Sequence, residues 1–226
     1  MNNTLAALQT QMQCKIPNAT LTVTTVPQAP TIQLALIDGS YPQDTLSQAH
    51  VENLMDNPPY WAFCWASGQV LARYLLDHAH LVKGQTVVDF GCGSGVVAIA
   101  AALAGAKRSI GLDIDLNALG VSRLNAQLNR VEVEFLESID THDIDTSESV
   151  LLIADVFYDA DNIQRLSGFI NDYADVIIAD SRIKPAALPG VIEVKRMSSC
   201  TVPDLAEAAD FNSVGIYRLA SKITNI

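Results

Sequence analysis

The sequence predicts an α/β protein: a doubly wound, Rossmann-like, mostly parallel seven-stranded sheet with an antiparallel C-terminal strand pair and an N-terminal β-hairpin extension. Three observations carry that expectation. From residue 86 onward, short β-branched runs alternate with stretches of helical periodicity, the pattern of crossover connections in a parallel sheet. One strand-to-helix junction is the glycine-rich run Asp89-Phe90-Gly91-Cys92-Gly93-Ser94-Gly95. The C-terminal region instead carries two strand-like runs close together, which suits an antiparallel pair.

Taken in order, residues 20–26 and 31–37 alternate β-branched and polar side chains on either side of a proline-bounded turn, which predicts the hairpin. A polar, turn-rich stretch at 41–57 ends at Pro58-Pro59, before the aromatic run Tyr60-Trp61-Ala62-Phe63-Cys64-Trp65. The boundary falls there, giving an extension over 1–58 and a main domain over 59–226. Val70, Leu71, Tyr74, Leu75 and His78 then recur at helical spacing until the Lys83-Gly84 stop. Strands are expected at 86–90, 108–112, 132–136, 150–154 and 176–179, with helices at 95–104, 117–129 and 161–173. The final strands, 191–197 and 213–221, flank a short helical stretch expected around 203–209.

The 226 residues are 49% hydrophobic and 17% charged, which excludes a disordered or fibrous chain. Acids outnumber bases 25 to 14, a net charge of −11 that offers no field to a nucleic acid. Cys14, Cys64, Cys92 and Cys200 lie far apart, and His50, His78, His80 and His142 show no ligand spacing, so no metal is expected. The residues up to Cys14 lack the features of a leader, and the apolar run at 96–106 is far below the roughly 20 residues that span a bilayer. The expectation is a cytoplasmic protein with no membrane partner.

The glycine run follows the apolar Thr86-Val87-Val88 and precedes an Ala-rich helical stretch, so the backbone turns at the helix N-terminus and a ligand can approach it closely. An acid, Asp113, ends the next strand, where a ribose hydroxyl pair would be held. A dinucleotide fingerprint needs a third glycine at position 96, which is Val96. A carboxylate at Asp89 would repel a pyrophosphate but hold the ammonium of a methionine moiety, directly or through water. This points to S-adenosylmethionine. Either Asp113 or Asp115 would face the ligand and the other would cap the next helix; Asp113, nearer the strand end, is assigned to the ligand.

With Gly111-Leu112-Asp113-Ile114-Asp115, the glycine run resembles the signature of seven-β-strand S-adenosylmethionine-dependent methyltransferases. Pro59-Tyr60-Trp61-Ala62, Trp65 with Gly68-Gln69, and Ala154-Asp155-Val156-Phe157-Tyr158-Asp159 narrow the resemblance to the lysine methyltransferases of electron transfer flavoprotein β-subunit, in the nicotinamide N-methyltransferase-like group. It runs from about residue 59 to 182, and the C-terminal third departs from it. The resemblance implies that Gly91, Gly93 and Gly95 pass the methionine portion and Asp113 the ribose. It also implies that Trp65 packs along the cofactor and that Asp155 and Tyr158 border the substrate channel. In this assignment Asp155 orients an acceptor lysine amine, Tyr158 flanks it and water takes its proton. The implied activity is protein-lysine N-methylation of the β-subunit or a similar protein. A small-molecule N-methyltransferase is the alternative, and a nucleotide-binding oxidoreductase or catalytically silent binding module the remote one. Competing structural roles are core packing for Trp61 and Trp65, and a helix cap beside a buried tyrosine for Asp155 and Tyr158.

Overall fold

The computed structural model describes residues 2–41, 58–138, 144–156, 170–182 and 190–219, with side chains from residue 5. Helix α1 (Asn2–Lys15) leads into an antiparallel hairpin of β1 (Leu21–Thr25) and β2 (Gln33–Ile37), with Leu21 opposite Ile37. The hairpin is the one expected. The helix is not, because its polar positions are Asn, Thr and Gln with a single charge, Lys15, at its end; yet Leu8, Met12 and Ile16 fall on one face and are buried.

A single turn of 3₁₀ helix at Tyr60–Ala62 precedes α2 (Ala66–Asp77), β3 (Thr86–Phe90), α3 (Val96–Leu103), β4 (Arg108–Leu112), α4 (Leu116–Leu128) and β5 (Glu134–Leu136). Then come β6 (Ser149–Ala154), β7 (Asp175–Asp180), β8 (Val191–Ser198) and β9 (Ser213–Leu219). The strands form one seven-stranded sheet in the order β5-β4-β3-β6-β7-β9-β8. The first five are mutually parallel, and β9 runs antiparallel to both β7 and β8, as expected.

The alternation of strand side chains sorts them between two apolar layers. Val87, Val150, Leu152, Ile177, Ala179, Val214 and Ile216 pack with α2 and α3 on one face. Val88, Leu151, Ile153, Val176, Ile178, Tyr217 and Leu219 face the other way, against Ile170 and Tyr173. A third cluster joins α1, the hairpin, Trp61 and the outer side of α4. The core therefore accepts Trp61, which is 1% exposed.

Two expectations need correction. Strand β5 begins at Glu134, two residues later than predicted. The helical stretch around 203–209 is absent: residues 204–208 are irregular, and only Ala209–Asn212 forms a 3₁₀ turn. Backbone pairing of Val202 with Cys64, at 2.8 and 2.9 Å, holds this segment extended at its start, and no local helix offsets that tertiary bridge. The helix expected over 161–173 lies outside the described residues up to 169; Ile170–Asp172 is a 3₁₀ turn.

Candidate functional site

Strand β3 lies between β4 and β6, and the chain leaves it toward opposite edges of the sheet, so a crevice opens beyond its C-terminal end. The glycine run occupies that point. Gly91, Gly93 and Gly95 have φ of +72°, +53° and +81°, a conformation strained for other residues. A Cβ on Gly95 would lie 3.0 Å from the Cβ and Oγ of Ser122, and one on Gly91 would lie 3.1 Å from Val156 Cγ1. On Gly93 it would meet only the Gly91 oxygen, at 4.0 Å. The outer glycines are thus demanded by the fold, while the middle one borders open space that a ligand can enter.

Helix α4 fastens the loop from behind. Ser122 Oγ donates to the Gly93 carbonyl at 2.9 Å, and Asn125 Nδ2 donates to the Ser94 carbonyl at 2.8 Å. Asn125 Oδ1 also accepts from Ala35 N at 2.7 Å, linking hairpin, helix and loop through one fully buried amide.

The two aspartates after β4 divide their work as the sequence suggests. Asp115 caps α4 by accepting from Asn117 N at 2.8 Å. Asp113 accepts from Gly93 N at 2.9 Å and from Asp115 N at 3.0 Å, so it is joined directly to the loop. Burial raises its pKa, against the lowering effect of those N–H donors. Beside it Ile114 is 93% exposed, an apolar side chain held out at the crevice edge.

Asp89 is buried beneath the loop, where Oδ2 accepts from Ala98 N at 3.0 Å. Gly95, the cap position of α3, has no side chain to supply that acceptor, so the strand supplies it. Burial pushes the Asp89 carboxyl up to about 7; the Ala98 N–H opposes the shift and Asp113 adds to it.

Trp65 occupies the cap position of α2, again without a side-chain acceptor. Its indole N–H donates to the Tyr60 carbonyl at 2.9 Å, and its ring lies 5.7 Å from those of Tyr60 and Phe63. Asp155, directly after β6, answers the open helix end: Oδ2 accepts from Ser67 N at 3.0 Å and Oδ1 from Ser67 Oγ at 2.5 Å. Its φ of +54° lies in the left-handed region, which Asp tolerates better than most residues. Burial raises its pKa to about 6, with Ser67 lowering it, Asp180 raising it and Arg182 lowering it. Tyr158 lies outside the described residues.

The structure therefore gathers Asp89, Gly91, Gly93, Gly95, Asp113 and Asp155 around one crevice, with Trp65 at the start of α2. Sequence reasoning missed Ser67, Ser122, Asn125 and Ile114. Ser122 and Asn125 had a legible signal: they are polar positions at i and i+3 within the otherwise apolar buried stripe of α4, where a polar group needs a partner. A groove of about 520 Å³, lined in part by Lys107, Arg108, Asp145 and Glu148, opens at the opposite, N-terminal edge of the sheet, away from this crevice.

Residues 70–179 match the family model of ribosomal protein L11 methyltransferase, PrmA. An electron transfer flavoprotein beta subunit lysine methyltransferase homolog of Caenorhabditis elegans is 34% identical over 149 residues, covering 57% of this chain and 61% of that protein. The electron transfer flavoprotein beta subunit lysine methyltransferase of Homo sapiens is 43% identical over 105 residues, 46% of this chain and 40% of its own length. The chain thus matches only 40% to 61% of these curated relatives. Among solved structures, a putative RNA methyltransferase from Pyrococcus horikoshii superposes with a TM-score of 0.51 at 18% identity, over 70% of this chain and 83% of that one, a likeness of fold. The cofactor expected from the sequence, S-adenosylmethionine, is borne out by these methyltransferase relatives. In glycine loop, strand order and sequence, the chain is similar to S-adenosylmethionine-dependent methyltransferases, and among them to the electron transfer flavoprotein β-subunit lysine methyltransferases.

Proposed function

We propose that the chain is a protein-lysine N-methyltransferase that uses S-adenosylmethionine and acts on electron transfer flavoprotein β-subunit or a protein like it. The observation that carries this reading is the loop at the sheet's switch point. Asp113 is bound to Gly93, and open space lies over Gly93, in a chain whose relatives bear that name. The four cysteines, all unpaired, suit a cytoplasmic setting.

The residues present fit the cofactor. Gly91, Gly93 and Gly95 would pass its methionine portion, Asp113 would accept from the ribose hydroxyls, and Asp89 would answer the ammonium. Ile114 offers an apolar face for the purine. Bound there, the cofactor supplies a methyl group on a sulfonium sulfur, activated for displacement by a neutral amine. The resemblance would assign Asp155 and Tyr158 to the acceptor path, and of the two only Asp155 is among the described residues. An aspartate lifted to about 6 is still too weak a base to keep a proton taken from an ammonium of pKa about 10.4, so the acceptor lysine would lose its proton to bulk solvent before attack and Asp155 would serve no more than its orientation. A net charge of −11 favours approach of a basic, lysine-bearing surface.

The test is to incubate the β-subunit with the protein and S-adenosylmethionine and to map lysines by mass spectrometry. Lysines heavier by one to three methyl groups are expected. An unmodified subunit alongside a methylated small amine would move the reading to small-molecule N-methylation.

A further inference from the structure

The consecutive residues Asp155 and Val156 hold two different elements. Both carboxylate oxygens of Asp155 are bonded to Ser67, in the first turn of α2. Val156 lies against Gly91, so closely that a Cβ there would be 3.1 Å from its Cγ1. The start of α2 in turn meets the start of α3: a Cβ on Gly68 would lie 3.0 Å from Cγ1 of Val96, the residue that follows the glycine loop. Three segments therefore meet at the crevice with no slack between them: the end of β6, the first turn of α2, and the loop with the helix it opens.

We propose that Asp155 is a positioning residue for the cofactor cleft, acting through Ser67, and that Ser67 is the second half of the same device. The pair fixes the first turn of α2 against the loop, and so sets the distance between the Trp65 segment and Gly91–Gly95. This rests on the methyltransferase reading and refines it, because Asp155 then acts on the cofactor side through α2 and not by contact with the acceptor amine. Burial supports the assignment: Ser67 is 0% exposed, so a carboxylate at Asp155 replaces water as the partner of its N–H and hydroxyl. The groups that face Asp155 are Asp180 and Arg182 at the end of β7 and the buried Cys64 thiol, while both Ser67 donors, its N–H and its hydroxyl, go to Asp155. Asn suits the left-handed backbone at position 155 as Asp does, so Asp155→Asn changes the bonds and spares the turn.

The experiment is a double-mutant cycle on Asp155→Asn and Ser67→Ala, read by calorimetric titration with S-adenosylhomocysteine and by thermal melting of the protein without ligand. Each single change is expected to weaken S-adenosylhomocysteine about tenfold, the scale of one lost bond to a charged group. The double variant should bind no worse than the weaker single one, since both changes act on the bond from the Ser67 hydroxyl to the carboxylate, while the N–H of residue 67 is present in every variant. Unaltered affinity in both singles, with only a lower melting temperature, would reduce the pair to a structural tie and overturn the proposal. Unaltered affinity with turnover lost in Asp155→Asn alone would overturn it in favour of direct contact with the acceptor. If Asp155→Asn does not fold, Ser67→Ala, which removes a single hydroxyl, decides by its affinity alone. A wild-type protein that takes up no S-adenosylhomocysteine would instead bring down the cofactor reading itself.

Discussion

Asp89 is held in a state that a ligand can change. A carboxyl whose folded pKa is about 7, against an ordinary value near 3.8, takes up a proton on folding between those values. It therefore contributes stability that is fully present below the ordinary value near 3.8 and is lost as pH rises from there through about 7, the reverse of a salt-bridged aspartate. Asp89→Asn should accordingly gain in stability relative to wild type as pH rises from 5 to 8, measured by urea unfolding. A ligand ammonium would draw the carboxylate back to its ionised form. S-adenosylhomocysteine should then bind more tightly as pH rises through about 7 and release a proton, seen as a dependence of binding heat on buffer ionisation enthalpy. In Asp89→Asn that dependence should vanish; its persistence would remove Asp89 from the ammonium site. The neighbouring glycines separate in the same way. Gly95→Ala meets Ser122 at 3.0 Å in a left-handed backbone and should cost the fold about 1–3 kcal/mol in chemical denaturation. Gly93→Ala carries the same left-handed strain but meets no neighbour closer than 4.0 Å, so it should cost the fold less than Gly95→Ala while its methyl group enters the space over the loop and weakens cofactor uptake.

At the scale of elements, α4 carries the load on the loop. Asn125→Ala would leave Ala35 N and the Ser94 carbonyl without a partner in a fully buried setting. A loss of about 3 kcal/mol is expected by urea unfolding; a loss under 1 kcal/mol would mean that water enters and replaces the amide. How such elements read in sequence depends on whether their determinants are local. Strands β3 and β4 were legible to the residue, because Val87-Val88 and Ile110 alternate between two buried layers and are bounded by turns. Asp113 and Asp115 were legible because a cap acts within three residues of itself. Helix α1 was not: its face of Leu8, Met12 and Ile16 is sparse among neutral polar residues and means little until α4 is seen beneath it. Residues 204–208 read as helical because no local pattern announces the bridge from Val202 to Cys64. The partner of Asp155 was beyond reach for the same reason, lying 88 positions away.

In the molecule as a whole, α1 and the hairpin cover a flank of the methyltransferase fold. Leu8, Met12 and Ile16 share a cluster with Trp61, Ala118, Val121 and Leu124. Removing residues 1–19 should uncover that surface at a cost on the order of 5 kcal/mol, from about 1.5–3 kcal/mol per buried side chain. With Trp65→Phe leaving Trp61 as the only indole, its emission should shift to the red on truncation. An unshifted spectrum would show that the flank closes without α1. The caps of α2 and α3 act over a still longer span, since neither Trp65 nor Gly95 supplies its own acceptor and strand ends lend Asp155 and Asp89 instead. For α3 the lender is synthesised first. For α2 it arrives 88 residues late, and a ribosome adding about 5–20 residues per second needs on the order of ten seconds to make it. During that interval the nascent chain holds the start of α2 with its first-turn donors exposed, and the cleft acquires its shape only after β6 has been translated.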